Sequence, residues 1–320
     1  MTGWPDEVKE IIAGDLCAAF AYTTRFGGVS VAPVCPFGVF DDGDGTIETS
    51  VPMAFADKLR RLAVAPEAAL GFFTRTHGKA TTPGYVLAQG DVTFPDAVPA
   101  GYLDALHARW PAFLGSVPDG GLVRRLGGDS YYDKRLPVTL HVRRLLYWQE
   151  GDAAGEPVVI GAPRPVPPPP QRPPKQGTEP VVAPKKYAKQ MGRSTDHLLG
   201  FVDGDGRPFV IPISPQVTDG RISVAADRLP TGGRRAAVMG LWFNSRLHGQ
   251  GMWGARGWLD VSSSDATFAP SASNGFNLSM GAFGQKVLVP IALGFDYRKA
   301  VRSGAVRDGR FVRGDRPTCR

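Results

Sequence analysis

Cysteine is scarce in this chain. Its three copies, Cys17, Cys35 and Cys319, have no metal-ligand spacing and are too few for a disulfide framework, which points to a reduced, cytoplasmic protein. Long apolar runs are also missing. No stretch approaches the roughly 20 residues of a membrane-spanning helix. The N-terminus MTGWPDEVKEIIAGDL carries acids early and no long apolar core, unlike a secretory signal. There is no His-Glu-x-x-His and no nucleophile elbow. Basic residues are not interleaved with aromatics as in nucleic-acid modules. These absences leave a globular chain expected to act on a small molecule, with no membrane and no nucleic acid as partner.

What is present suggests duplication. At 320 residues the chain exceeds one typical core and suits two domains. Its 40 glycines and 29 prolines favour turns and short strands over long helices. The net charge of +7 is dispersed, apart from a basic tail over Arg298 to Arg320 that reads as frayed. Prolines dominate from Pro157 to Pro184, as in an extended spacer or a PxxP ligand. The expected division is 1–150, a linker at 151–186, and 187–320.

Local patterns fill in the first part. Val8, Ile11 and Ile12 fall at helical spacing over Pro5 to Gly14. Leu16 to Thr24 and Val29 to Val34 read as strands joined by the Arg25 to Gly28 hairpin turn. The turn Asp41 to Gly45 has the look of a calcium loop but lacks its later Glu, so no metal is expected. Tyr85 to Phe94 and Val138 to Trp148 read as strands, with a helix over Ala100 to Leu114 between them.

The stretch Gly45 to Phe73 holds the candidate site. A short strand ends in Thr49 and Ser50, a helix led by Asp57 follows, and Pro66 stops it. Lys58 and Arg61, three apart, share a helical face, while Leu59 and Leu62 point inward. Hydroxyls, a helix start and cations at one place make a phosphate cradle. The same residues also read as a helix with a solvated basic face.

The second part repeats the first. Leu198 to Val202 and Pro208 to Ile213 mirror the first hairpin, with Pro212 at the place of Pro33. Gly220 to Ala225 mirrors Gly45 to Ser50, with Val224 and Ala225 in place of the two hydroxyl residues. Gly71 to Gly78 lines up with Gly240 to Gly249, and Gln89-Gly90 with Arg256-Gly257. The basic helix shrinks to Gly232 to Ala236. A repeat of this length is a domain duplication, not a solenoid period.

Each half resembles the FMN-binding split barrel of the pyridoxamine 5′-phosphate oxidase-like superfamily. The first half is most similar to its actinobacterial flavin- or F420-dependent oxidoreductases. The resemblance rests on Ala32-Pro33-Val34, on Thr49-Ser50 followed by Lys58-Leu59-Arg60-Arg61-Leu62, on Pro66, and on Gln89-Gly90-Asp91-Val92. It implies a mainly β fold with a few helices, in which two split β-barrel domains in tandem form an intramolecular pseudo-dimer. Monomers and higher homo-oligomers are both compatible with it. It implies FMN or F420 as cofactor, lined by Pro33 and Val34 and held by Thr49, Ser50, Lys58 and Arg61, with Gln89 also in the site. Some members of the superfamily bind haem, which makes haem the alternative cofactor and His77 or His248 its ligand, against a plain loop role for both. Trp242, Trp253 and Trp258 could stack on a planar ring but read better as barrel filling. The functional expectation is an oxidoreductase whose chemistry belongs to the cofactor. The alternative is a non-catalytic duplicated binder of a planar ligand. No catalytic residue is assigned.

Overall fold

Apolar residues at helical spacing bury α1 (Asp6–Gly14) through Val8, Ile11 and Ile12, as the periodicity predicts. The strands that follow take the expected places, apart from an unforeseen two-residue strand at Phe40–Asp41, in a computed structural model, which describes residues 3–75, 77–114, 133–218, 221–225, 229–244, 250–277 and 281–313. They are β1 (Ala18–Thr23), β2 (Val29–Val34), β3 (Phe40–Asp41), β4 (Thr46–Pro52), β5 (Glu67–Phe73), β6 (Tyr85–Thr93) and β7 (Arg135–Trp148). Their antiparallel order is β2-β1-β5-β6-β7-β4-β3, with β8 (Val158–Gly161) added beside β7.

The second sheet contains β9 (Asp196–Val202), β10 (Pro208–Pro212), β11 (Gln216–Thr218), β12 (Arg221–Val224), β13 (Arg234–Phe243), β14 (Gln250–Val261) and β15 (Ala266–Asn277). Its order is β10-β9-β13-β14-β15-β12-β11. Replacing each strand of the first order by the one eight later in the chain gives the second order. The chain is therefore two antiparallel units of one strand order in tandem, mainly β, and neither sheet closes on itself. Among the described residues, no helix is long and apolar enough to cross a membrane.

Register extends the duplication to single residues. Pro33 faces Ala19 and Pro212 faces Leu198 at matching rungs. The pairing of β6 with β7 slips between Gln89 and Gly90, and that of β14 with β15 slips between Arg256 and Gly257. Such bulges bring backbones close. A Cβ on Gly90 would lie 1.9 Å from the His141 carbonyl oxygen, and one on Gly257 would lie 2.0 Å from that of Ala269. Glycine is required at both for the same reason.

Details of the repeat differ from expectation. Ala69 pairs with Ala21 and Gln89, and Ala237 pairs with Gly200 and Arg256, so the Gly71 and Gly240 alignment is out by one residue. The segment expected as a shortened basic helix, Gly232 to Ala236, instead leads into β13 from Arg234 onward. Without a helix the chain enters the strand directly, and Arg234 is drawn inward to bond backbone carbonyls.

The first half carries α2 (Ala56–Val64), preceded by a 3₁₀ turn at Met53–Phe55, and α3 (Tyr102–Leu114) between β6 and β7. Further along lie α4 (Pro184–Met191) and α5 (Gly281–Arg302). α5 packs on the 3₁₀ turn of the first half. A final hairpin, β16 (Val306–Arg307) and β17 (Arg310–Phe311), continues onto the same half. There the Phe311 ring lies 5.9 Å from Phe94, and Arg313 pairs with Asp96 at 2.5 Å. As far as residue 313 the tail is thus packed rather than frayed, because Ala300, Ala305, Val306 and Phe311 enter the first half's core.

The halves meet face to face through β2 and β10. One apolar core includes Val29, Val31 and Tyr85 together with Phe201, Phe209 and Val210. A Cβ on Gly200 would lie 2.8 Å from a Val31 methyl, so its absence lets the strands approach. The Tyr85 hydroxyl donates to the Val210 carbonyl at 2.6 Å. Ion pairs join Arg207 to Asp91 at 2.9 Å and Arg144 to Asp205 at 2.8 Å. Arg75 is buried and bridges Asp15 of its own half and Asp196 of the other. The proline-rich linker is docked rather than free. Arg234 donates to the Pro168 carbonyl at 3.3 Å, and Gln171 donates to the Gly27 carbonyl while accepting from the Arg235 amide.

Candidate functional site

The cations of α2 diverge. Leu59 and Leu62 are buried beneath the helix. Lys58 keeps intermediate exposure, and its ammonium lies 5.4 Å from the Phe20 ring, 5.8 Å from Tyr22 and 5.7 Å from Phe55. Arg61 turns to β1, donating from Nε to the Thr23 carbonyl at 2.8 Å. Arg60 faces Asp57 at 3.8 Å. A shared helical face therefore does not bring Lys58 and Arg61 to one point.

The hydroxyls are also differently engaged. Thr49 is buried and donates to the Cys35 carbonyl at 3.3 Å. Ser50 Oγ accepts from Arg135 Nε at 3.0 Å, and its carbonyl accepts from Arg135 Nη2 at 3.2 Å. Arg135 opens β7, directly opposite Pro52 of β4. Sequence reasoning missed it, although a signal was available: the closing strand was recognised from Val138, and Arg135 lies three residues before it. Pro33 and Val34 end β2, with Val34 in the core of the first half. Gln89 is buried, and both ends of its amide are engaged. Its Nε2 donates to the Pro208 carbonyl at 2.6 Å, and its Oε1 accepts from Arg144 Nε at 2.6 Å.

Lys58, Arg135 and Ser50 thus form the positive cluster of the first half. Burial, and to a lesser degree the Arg135 charge, pushes the Lys58 ammonium down to about 8. No carboxylate among the described residues offsets it. A crowded cation beside a second cation is unfavourable until an anion arrives. Close by, the Tyr102 phenol is held protonated, chiefly by burial, with the charge of Glu48 acting in the same direction. A phosphate fits this donor set of ammonium, guanidinium and hydroxyl.

The second half lacks the cluster. Ile47 pairs with Leu140, and Ile222 with Phe268. Counting from these rungs, Val224 and Ala225 replace Thr49 and Ser50. Ser263, in the exposed turn between β14 and β15, falls at the place of Arg135.

His77 is exposed, with its ring 6.4 Å from that of Phe243. His248 lies outside the described residues. Trp253 and Trp258 are buried and Trp242 is partly so. Asp41 Oδ1 accepts from the amides of Gly43 and Asp44, closing its turn. Among the described residues, no group of His, Cys, Asp or Glu is arranged to hold a metal.

No family model and no curated protein matches the chain. Among solved structures, it is similar to a conserved hypothetical protein from Mycobacterium tuberculosis at 16% identity and a TM-score of 0.34, over 45% of this chain and 84% of that one. It is similar to an F420 reductase at 14% identity and a TM-score of 0.32, over 46% and 100% of the two chains. It is also similar to a heme binding protein from Mycobacterium smegmatis at 12% identity and a TM-score of 0.33, over 92% and 97%. At such identities and scores these likenesses carry no argument about function, which rests on the chain's own residues.

Proposed function

We propose that this protein is an FMN- or F420-dependent oxidoreductase acting on a small organic substrate, with the cofactor's phosphate held in the first half by Lys58, Arg135 and Ser50. One observation carries the reading: Lys58 is crowded by rings and by Arg135, with no carboxylate among the described residues to offset it. An ammonium crowded in this way favours a phosphate-bearing ligand. The bound cofactor would supply hydride transfer, and the chain's part is to hold and orient it. In this reading Arg61 and Thr49, both engaged with backbone, stand outside the cradle.

The test is a titration of FMN, F420 and riboflavin against the parent and single variants. Lys58→Ala is expected to weaken FMN or F420 by about tenfold to a hundredfold, the loss of one charge-assisted contact. Arg61→Ala is expected to change affinity less than about threefold, well under 1.4 kcal/mol. Riboflavin, which lacks the phosphate, should bind weakly to all. An unchanged FMN affinity in Lys58→Ala, or riboflavin binding equal to FMN, removes the cradle from this place.

A further inference from the structure

The C-terminal part of α5 and the hairpin after it have a two-sided character. Leu293, Tyr297 and Ala300 lie on one side of the helix and are buried or partly so. Phe295, Arg298, Lys299 and Arg302 fall within about 100° of one another on the opposite side, and all four are exposed. The hairpin repeats the division. Val306 and Phe311 face each other and are buried, whereas the next pair, Arg307 and Arg310, is exposed. Ala300, Val306 and Phe311 all enter the first half's core. With both inward faces on that core, both outward faces point away from it and form one surface.

That surface holds five exposed cations, Arg298, Lys299, Arg302, Arg307 and Arg310, beside two acids, Asp296 and Asp308. None of the five forms an ion pair among the described residues. Their arrangement is unfavourable within the chain. Arg298 and Arg302 stand four apart on a helix, and Arg307 lies directly opposite Arg310 in a ladder. Like charges at either spacing destabilise. The helix dipole favours Lys299 and Arg302 in the last turn, but it accounts for neither the hairpin arginines nor the ring among the cations. Phe295 is 63% exposed, with the Arg298 guanidinium 5.7 Å from its centroid. A lone exposed ring is ordinary on a protein surface. One set in a stripe of cations matches a layered partner, anionic outside and apolar beneath.

We propose that this surface docks peripherally on an anionic lipid bilayer. The five cations lie over the phosphate headgroups, and the Phe295 ring enters the boundary between headgroups and acyl chains. Contact of this kind needs no spanning segment. A nucleic acid fits less well. The phosphates of a duplex would meet the cations but leave the ring in water, and a single strand is held in a groove, which an outward helix face does not form. The proposal is independent of the FMN or F420 reading, because it uses none of Lys58, Arg135 and Ser50.

The test is co-sedimentation of the full chain with vesicles of phosphatidylcholine, alone or mixed with phosphatidylglycerol, at about 0.1 M salt. Binding is expected only with phosphatidylglycerol present, and should weaken at least about tenfold at about 0.5 M salt. Each cation near an anionic surface contributes roughly fivefold in affinity. Arg298→Gln combined with Arg302→Gln should therefore weaken binding by about tenfold or more, and leave FMN affinity as it is. Phe295→Ser should weaken it by at least about threefold. All three side chains are exposed, so these variants should melt with the parent. Phe295→Trp gives a direct readout: its emission should shift to the blue on adding phosphatidylglycerol vesicles, beyond any shift of the parent. The proposal is wrong if phosphatidylcholine alone binds equally, or if either the double variant or Phe295→Ser binds as the parent does. It is equally wrong if Phe295→Trp shows no added shift, or if an oligonucleotide binds and no vesicle does.

Discussion

At the end of β4 the first half places Ser50 under Arg135, with Lys58 among three rings close by. At the end of β12 the second half places Val224 and Ala225, and the position of Arg135 falls on a serine in an exposed turn. One half places Lys58 near a second cation with no carboxylate among the described residues to offset the lysine, and the other has nothing comparable among its described residues. Yet the same two halves agree in strand order, in the rung occupied by Pro33 and Pro212, and in a bulge glycine against a carbonyl. Positions that set the backbone path are shared, whereas positions that would touch a ligand are not. The scaffold is common to both copies, and the cation cluster is found in one.

The comparison has a boundary at the interface, where neither half is complete. Arg75 is held between Asp15, which is fully buried, and Asp196 of the second half. Removing one member of a buried pair leaves an uncompensated charge and costs about 3–5 kcal/mol. Arg75→Ala should lose that much in denaturant unfolding, and both sheets should lose protection from amide exchange together. If only the first sheet loosens, the halves fold independently and the interface contributes little.

The shared bulge can be tested in both halves. Gly90→Ala and Gly257→Ala each force a methyl into a carbonyl oxygen, at 1.9 and 2.0 Å before relaxation. Equal losses of about 1–3 kcal/mol are expected, the usual scale of overpacking. A loss at only one position would mean that the two bulges differ in freedom despite equal geometry.

Lys58 should separate function from stability. Its folded value of about 8 lies below the roughly 10.4 of an unfolded lysine. Between these values the unfolded chain binds more protons, so this residue makes stability rise as pH rises from 8 towards 10, while below 8 its charge opposes folding in full. Lys58→Met should therefore stabilise the protein at pH 7 by about 0.5–2 kcal/mol and remove the residue's share of the rise above pH 8. Cofactor affinity follows the opposite sign. It needs the ammonium, so FMN binding should weaken from pH 8 upward in the parent, and that step should vanish in Lys58→Arg. A parent without the step would show that Lys58 does not meet the ligand's anion.

Much of this was legible in the sequence, for definable reasons. Strands bounded by Gly and Pro, the hairpin turns and the repeat all depend on local chemistry, and they appear in the fold. So does the absence of hydroxyls at Val224 and Ala225. Tertiary choices were not legible. Lys58 and Arg61 share a face, but Phe20, Tyr22 and Phe55 surround one and the Thr23 carbonyl takes the other. Gln89 matched the cofactor motif, yet its amide joins the two halves. Arg135 became visible only when β7 was laid against β4. The basic tail looked unstructured because its four core residues, Ala300, Ala305, Val306 and Phe311, are too widely spaced to form a pattern.

The smallest expected effect concerns the hydroxyl pair on which the two halves differ. Thr49 and Ser50 are adjacent in β4, but neighbours in a strand point to opposite faces. Both are 3% exposed, and the Thr49 hydroxyl donates to the Cys35 carbonyl at a long 3.3 Å. Ser50 Oγ accepts from Arg135 and its hydroxyl faces the Tyr102 phenol, so an anion entering here would compete with Tyr102 for that hydrogen. Thr49→Val, which reproduces the second half's residue, should cost no more than about 1 kcal/mol of stability and shift FMN affinity less than about threefold. Ser50→Ala should weaken FMN by about threefold to tenfold, as loss of one hydrogen bond to a charged group together with looser seating of Arg135. Should Thr49→Val prove the more damaging to FMN binding, Thr49 must leave Cys35 when ligand enters. The contrast between Thr49 and Val224 would then be functional rather than a matter of packing.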